Sequence, residues 1–185
     1  MSHRMCPWWL GYLLASPVRR LLQDPPRILA PHVGEGMTVL EPGPGMGFFT
    51  LELARRVGPR GRVVAIDAQP RMLAGLRRRA TRAGLDARIE ARQARPDSLG
   101  VEDLVGRVDL VFAFAVVHEL PDAGRFFAEV RPTLRAGGTV LVAEPAGHVK
   151  AAAFEETMAA AARAGLRREP GPRIARSLTA VLVAA

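Results

Sequence analysis

Residues 41–47, Glu-Pro-Gly-Pro-Gly-Met-Gly, carry the most chemical information in this sequence. An apolar run (37–40) ends in an acid, Glu41. Three glycines follow at alternate positions, Gly43, Gly45 and Gly47, and then a helix-like segment, 48–57. A strand, a glycine-rich turn and a helix N-terminus bring backbone N–H groups close to a ligand. Glycine suits the turn because it tolerates φ > 0 and puts no Cβ in the ligand's way. About twenty residues on stands a second acid, Asp67, whose two oxygens suit the paired hydroxyls of a ribose. Its other reading is an N-cap for the helix after Pro70.

Two common nucleotide motifs do not fit. G-x-G-x-x-G needs a glycine where Phe48 stands, which disfavours a nicotinamide-dependent reductase. The P-loop needs a lysine in the turn, and the one lysine of the chain is Lys150.

The elements that must hold these residues alternate. Strand signals fall at 38–40, 62–66, 88–91, 108–112 and 139–143. Helix signals fall at 48–57, 71–83, 101–105 and 123–134, with a short helix or turn at 27–32 after the stop signal Asp24-Pro25-Pro26. The strands are short, β-branched and apolar on both faces, as in parallel strands buried between helical layers. The alternation predicts a three-layer, doubly wound, mostly parallel α/β sheet. An alanine-rich helix (151–164) and two strands without a helix between them (166–169 and 178–183) predict a closing antiparallel hairpin. The whole reads as one domain over 1–185, an N-terminal helical lid or extension over 1–35 and a core over 36–185.

Three stretches, Leu40–Gly47, Val64–Asp67 and Leu134–Val142, together make the chain resemble the class I S-adenosylmethionine-dependent methyltransferases of the small single-domain type. The resemblance covers about four-fifths of the chain and implies a Rossmann-like seven-stranded sheet. It also implies S-adenosylmethionine as cofactor, with S-adenosylhomocysteine as product. The residues implied to bind it are Glu41, Gly43, Gly45, Met46, Gly47, Asp67, Ala68, Gln93, Ala94 and Ala115. Glu41 would face the methionine ammonium and Asp67 the ribose. Pro42 and Pro44 remove donors, so contacts would rest on the glycine and Met46 amides. Past the third strand Arg95 stands where an acid is usual, so adenine is read either by Asp97 or by backbone and Gln93.

His118, after the fourth strand, can act as a general base or can simply orient its loop. Glu144 and His148, after the fifth, join His118 and the N-terminal Trp8-Trp9 pair as expected substrate-facing groups. The tryptophans suit a water-excluding lid, a hydrophobic latch or, with Tyr12 and Arg19-Arg20, a membrane surface. His118, Glu119, Glu144 and His148 match no metal-binding spacing, so no metal is expected.

Composition limits the partners. Apolar residues make up 49% and charged residues 24% of 185, ordinary for a globular domain. The net charge of +8 invites a nucleic-acid reading, but the arginines are spread along the chain apart from Arg77-Arg78-Arg79 and Arg82, which read as a solvated helix face. A single cysteine, Cys6, gives no disulfide framework or C-x-x-C metal site and points to a reducing, cytoplasmic compartment. No apolar run is long enough for a membrane span. The resulting expectation is methyl transfer to a small molecule. An RNA methyltransferase or RNA-binding module, and an S-adenosylmethionine-binding protein without catalysis, are the alternatives. Neither the acceptor nor the oligomeric state follows from the sequence.

Overall fold

The computed structural model describes residues 23–184; Cys6, Trp8, Trp9, Tyr12, Arg19 and Arg20, and with them most of the expected N-terminal lid, lie outside them. Seven strands form one sheet in the order β3-β2-β1-β4-β5-β7-β6. They are β1 (Thr38–Pro42), β2 (Arg62–Asp67), β3 (Ile89–Gln93), β4 (Val108–Phe114), β5 (Leu134–Pro145), β6 (Leu166–Pro170) and β7 (Ser177–Ala184). The helices are α1 (Pro25–Leu29), α2 (Thr50–Val57), α3 (Pro70–Arg82), α4 (Ala123–Val130) and α5 (Ala151–Arg163). Parallel pairing joins β1 to β2, β2 to β3 and β4 to β5, while β7 runs antiparallel to both β5 and β6. The result is a mostly parallel, doubly wound sheet with a closing antiparallel hairpin, as the alternation and the two helix-free closing strands implied. Among the described residues no helix is long and apolar enough to cross a membrane.

Two compact units divide the described chain, 23–98 and 99–184. In the first, α3 buries Met72, Leu73, Leu76 and Ala80, a single stripe at helical spacing. Leu73 and Leu76 pack on Ala65 of β2, with Ile89 and Ala91 of β3 at the margin. Each such leucine contributes roughly 1.5–3 kcal/mol of transfer free energy. In the second unit α4 buries Phe126, Phe127 and Val130, and α5 buries Phe154, Met158 and Ala161.

Several boundaries differ from the sequence reading for identifiable reasons. Asp24-Pro25-Pro26 is a start rather than a stop: Asp24 accepts the Arg27 N–H and caps α1, and the prolines occupy the first turn, where a missing N–H costs nothing. The helix expected over 123–134 ends at Val130. A 3-10 turn (Arg131–Thr133) containing Pro132 follows, and Thr133 donates its hydroxyl to the Val130 carbonyl. Leu134–Gly138, which reads as a turn, is the first part of β5, and the β4–β5 register breaks between Val108 and Leu110 to accommodate it. The arginine run of α3 is not only a solvated face. Arg77 donates to the Ala91 carbonyl at 2.8 Å and Arg79 to the Met46 carbonyl at 2.6 Å.

Gly61, just before β2, marks the tightest backbone approach in the first unit. A Cβ there would lie 2.6 Å from both the Met37 and Val57 carbonyl oxygens. Gly61→Ala must therefore move backbone, and a loss of about 1–3 kcal/mol is expected. It should appear as a lower urea midpoint with unchanged slope; an unaltered midpoint would show that the approach is slack.

Candidate functional site

The turn after β1 begins by prolonging the sheet. The Gly43 N–H donates to the Ile66 carbonyl at 2.8 Å, one residue beyond the last β1–β2 pair. The Gly47 N–H then closes the turn on the Pro44 carbonyl at 2.9 Å. Between them Gly45 has φ 55°, and a Cβ there would meet nothing within 4 Å. Gly47 differs, since a Cβ would strike Leu76 Cδ1 at 2.5 Å, so that glycine serves the approach of α3. Met46 is buried against Gly75 of α3, whose Cβ would fall 2.9 Å from Met46 Cγ. The amides of Gly43 and Gly47 are thus engaged, the first by β2 and the second inside the turn, rather than offered outward.

Asp67, the last residue of β2, ties this turn to the next one. Its Oδ2 accepts the Gly45 N–H at 3.3 Å and its Oδ1 accepts the Gln69 N–H at 2.8 Å. The second bond is an Asx turn, and the N-cap of α3 is Gln69, so Asp67 is not the helix cap. Ala68 is exposed beside it. Gln93 stands opposite Asp67 in the β2–β3 register, and the Ala94 N–H donates to the Asp67 carbonyl at 3.0 Å. The next residues fold back, with the Arg95 N–H on the Ser98 carbonyl at 2.9 Å. Asp97 sits exposed in that bend, while Gln93 and Ala94 remain adjoined to Asp67.

Glu41 is the electrostatic anomaly of the first unit. It is 3% exposed, and its Oε2 has no hydrogen-bond partner; nor has Thr50 Oγ1, at the start of α2. Burial pushes its carboxyl up to about 8, the Asp67 charge adds to the rise, and the Thr50 side chain only partly offsets it. An orphaned acid beneath an open glycine turn suits a ligand that brings a cation. With the Asp67 carboxylate pinned at the next strand end, these residues fit the ammonium and ribose of S-adenosylmethionine. Thr50 was not legible as part of this cluster, although a hydroxyl opening the helix after a glycine turn was its signal.

In the second unit the chain leaves β4 at Ala115, which holds φ 54° although it is not glycine. Its N–H donates to the Ala143 carbonyl at 2.7 Å, prolonging the β4–β5 ladder. A backbone of this kind costs about 1 kcal/mol or more, and such strain gathers at functional positions. A 3-10 turn (Val117–Glu119) follows and carries His118. Its Nδ1 lies 2.5 Å from Glu144 Oε2, and Glu144 Oε1 accepts the Val117 N–H at 2.8 Å. Glu144 is 2% exposed, whereas the His118 side chain keeps 18%. The hydrogen bond to Glu144 raises the His118 pKa, burial opposes it, and the Glu144 and Glu119 charges assist. The exposed His148 ring packs edge-on at 5.1 Å. Glu144, expected to face substrate, has both oxygens bonded within the protein, and the ring it holds is the more exposed of the pair. Its partnership with His118 was missed in the sequence. Among the described residues no group of three or more His, Cys, Asp or Glu is arranged to hold a metal.

Residues 34–170 match the family model described as a methyltransferase domain. A S-adenosylmethionine-dependent methyltransferase from Aquifex aeolicus superposes with a TM-score of 0.83 at 24% identity, over 96% of this chain and 97% of that one. The arsenite methyltransferase of Halobacterium salinarum is 32% identical over 109 residues, 59% of this chain and 27% of the relative. The ubiquinone biosynthesis O-methyltransferase of Methylocella silvestris is 32% identical over 154 residues, 82% and 57% respectively. The chain thus spans from about a quarter to somewhat over half the length of these two curated relatives. With three-quarters of its residues inside the family model, the chain belongs to the class I S-adenosylmethionine-dependent methyltransferase family.

Proposed function

We propose that the chain transfers the methyl group of S-adenosylmethionine to a small-molecule acceptor. The observation that carries this reading is the Gly45–Asp67 bond, which fixes a carboxylate against an open, left-handed glycine. In this reading Asp67 accepts the ribose hydroxyls and Glu41 receives the methionine ammonium. Gln93 and Ala94 border the adenine, and Ala68 lines the cofactor. When bound, the cofactor supplies a methyl group already activated on a sulfonium. The chain's own work is then to orient the acceptor, exclude water and take up a proton where one must leave. His118 is the candidate for that last task.

A small acceptor is favoured over RNA by how the arginines are used. Arg77 and Arg79 hold backbone carbonyls, and Arg56, Arg92, Arg125, Arg135 and Arg168 pair with acids. Such pairing removes arginines from any continuous basic track. The two curated relatives are named for arsenite and for O-methylation in ubiquinone biosynthesis, neither of them for RNA.

Isothermal titration tests the cofactor assignment. Wild-type protein should bind S-adenosylmethionine and S-adenosylhomocysteine, and Asp67→Ala and Gly45→Val should each weaken binding by about tenfold or more, the worth of a charge-assisted hydrogen bond or a filled cradle. Absence of binding by the wild type would remove the reading, and full-strength binding by both variants would move the site elsewhere.

Glu41 gives a pH signature in the protein alone. Its carboxyl titrates at 4.5 when unfolded and at about 8 when folded. Between these values the folded chain keeps a proton that the unfolded chain has lost. The group's stabilising effect is therefore complete below the lower value and drains away as pH rises to the upper one. Glu41→Gln abolishes this dependence, so the variant's Tm relative to wild type should climb from about pH 5 to about pH 8. A difference that stays flat across that range would contradict burial of an ionisable Glu41.

A further inference from the structure

We propose that Glu144 is the positioning residue of a His118 base, and that the methyl acceptor is a neutral hydroxyl whose proton must be removed as it reacts. The inference rests on the methyl-transfer reading above and adds the acceptor's chemical class.

The geometry is that of a carboxylate holding an imidazole. An ionised carboxylate only accepts hydrogen bonds, so the 2.5 Å contact assigns the proton to His118 Nδ1. The lone pair is then on Nε2, the one ring nitrogen not turned to Glu144. Glu144 cannot rotate away, because its other oxygen is held by the Val117 N–H one residue before the histidine. Carboxylate, backbone amide and imidazole thus form a closed set anchored at the end of β5. The burial of Glu144 against the partial exposure of His118 leaves only the imidazole open to a reacting molecule. Other titratable groups near the ring are Glu119 on its own turn and His148 at 5.1 Å. The adjoining α4 brings Arg125 and Glu129, which pair with each other at 3.4 Å.

Such a base suits an acceptor that keeps its proton at neutral pH, and among uncharged acceptors that is a hydroxyl. A thiol or carboxylic acid is largely ionised, or easily ionised, near neutral pH, and needs little help. A soft metalloid calls for thiolate ligands, and this sequence has one cysteine. A phenol or alcohol holds its proton at neutral pH and needs a base in the transition state. The acceptor O–H bond breaks and its proton passes to Nε2. The oxygen's electron pair forms the new O–C bond, and the pair of the broken C–S bond stays on sulfur. The imidazolium, balanced by Glu144, returns its proton to solvent.

The first test needs no turnover. Long-range 1H–15N correlation of the imidazoles, with His118 assigned from the His118→Gln spectrum, should show Nδ1–H, bare Nε2 and a titration midpoint above 6.5. Glu144→Gln turns an amide N–H toward Nδ1, so the tautomer should reverse and the midpoint fall. An Nε2–H tautomer in wild type, or a midpoint at or below 6.5, overturns the arrangement even if Glu144→Gln fails to fold. The second test uses a panel of phenols, alcohols, thiols and carboxylates. With a phenol, both variants should lose about 10²–10⁴-fold in kcat at neutral pH with little change in KM, and recover as the phenol ionises near pH 10. Equal losses on thiols and phenols overturn the acceptor class. Cofactor binding without turnover on any acceptor overturns methyl transfer and the acceptor class together, while the imidazole spectrum still decides the dyad.

Discussion

The chemistry of this chain depends on how its parallel strands stop. A parallel ladder leaves slanted N–H and C=O groups at its carboxyl end, and something must satisfy them. Here the first residue after the strand does so three times. Gly43, Ala94 and Ala115 follow β1, β3 and β4 directly, and each donates its N–H to the neighbouring parallel strand; Ala146, after β5, donates to the Arg176 carbonyl just before antiparallel β7. Each loop therefore starts at a fixed position and angle. Gly45 and Asp67 can meet only because the Gly43 bond has already set where the glycine turn begins. The Glu144–Val117 bond depends in the same way on the Ala115–Ala143 bond before it.

Fixing loop starts so rigidly has a conformational cost, and the sequence distributes it unevenly. Gly45 takes its left-handed backbone without strain, whereas Ala115 takes nearly the same φ with a Cβ. The strain at Ala115 is held by a 2.7 Å backbone bond on one side and by the buried Val116 and Val117 on the other. Those two valines also fix the histidine turn, so the strained residue and the imidazole belong to one rigid piece. Arg79 performs a comparable service in the first unit, where its long side chain clamps the Met46 carbonyl from α3.

Much of this was legible in the sequence because it is local. Alternating apolar runs and glycine punctuation give the strand order of events, and the Asp67 spacing marks the ribose candidate. The misreadings arise where contacts are distant in sequence. Nothing near Arg79 announces a partner 33 residues away, and nothing near Glu144 announces His118, 26 residues earlier. Both look like ordinary charges, one on a helix face and one at a loop. Proline misleads for another reason: Pro25 and Pro26 begin a helix for the same missing N–H that makes proline a breaker elsewhere.

Glu41 and Glu144 show why hydrogen-bond accounting, rather than residue type, assigns roles. Both are the penultimate residue of a buried strand, both precede a proline, and they are 3% and 2% exposed. The following proline favours extended backbone at each glutamate. Their partners then diverge. Glu144 has an amide on one oxygen and an imidazole on the other, so both oxygens are hydrogen-bonded and the carboxyl can steady a proton carrier. Glu41 has an orphan oxygen, and burial together with a nearby carboxylate raises its pKa. A satisfied buried acid organises its own protein, whereas an unsatisfied one carries a cost that a proton or a ligand of the right charge relieves. That asymmetry is the physical ground on which the first acid is proposed to meet the cofactor and the second to steady the base.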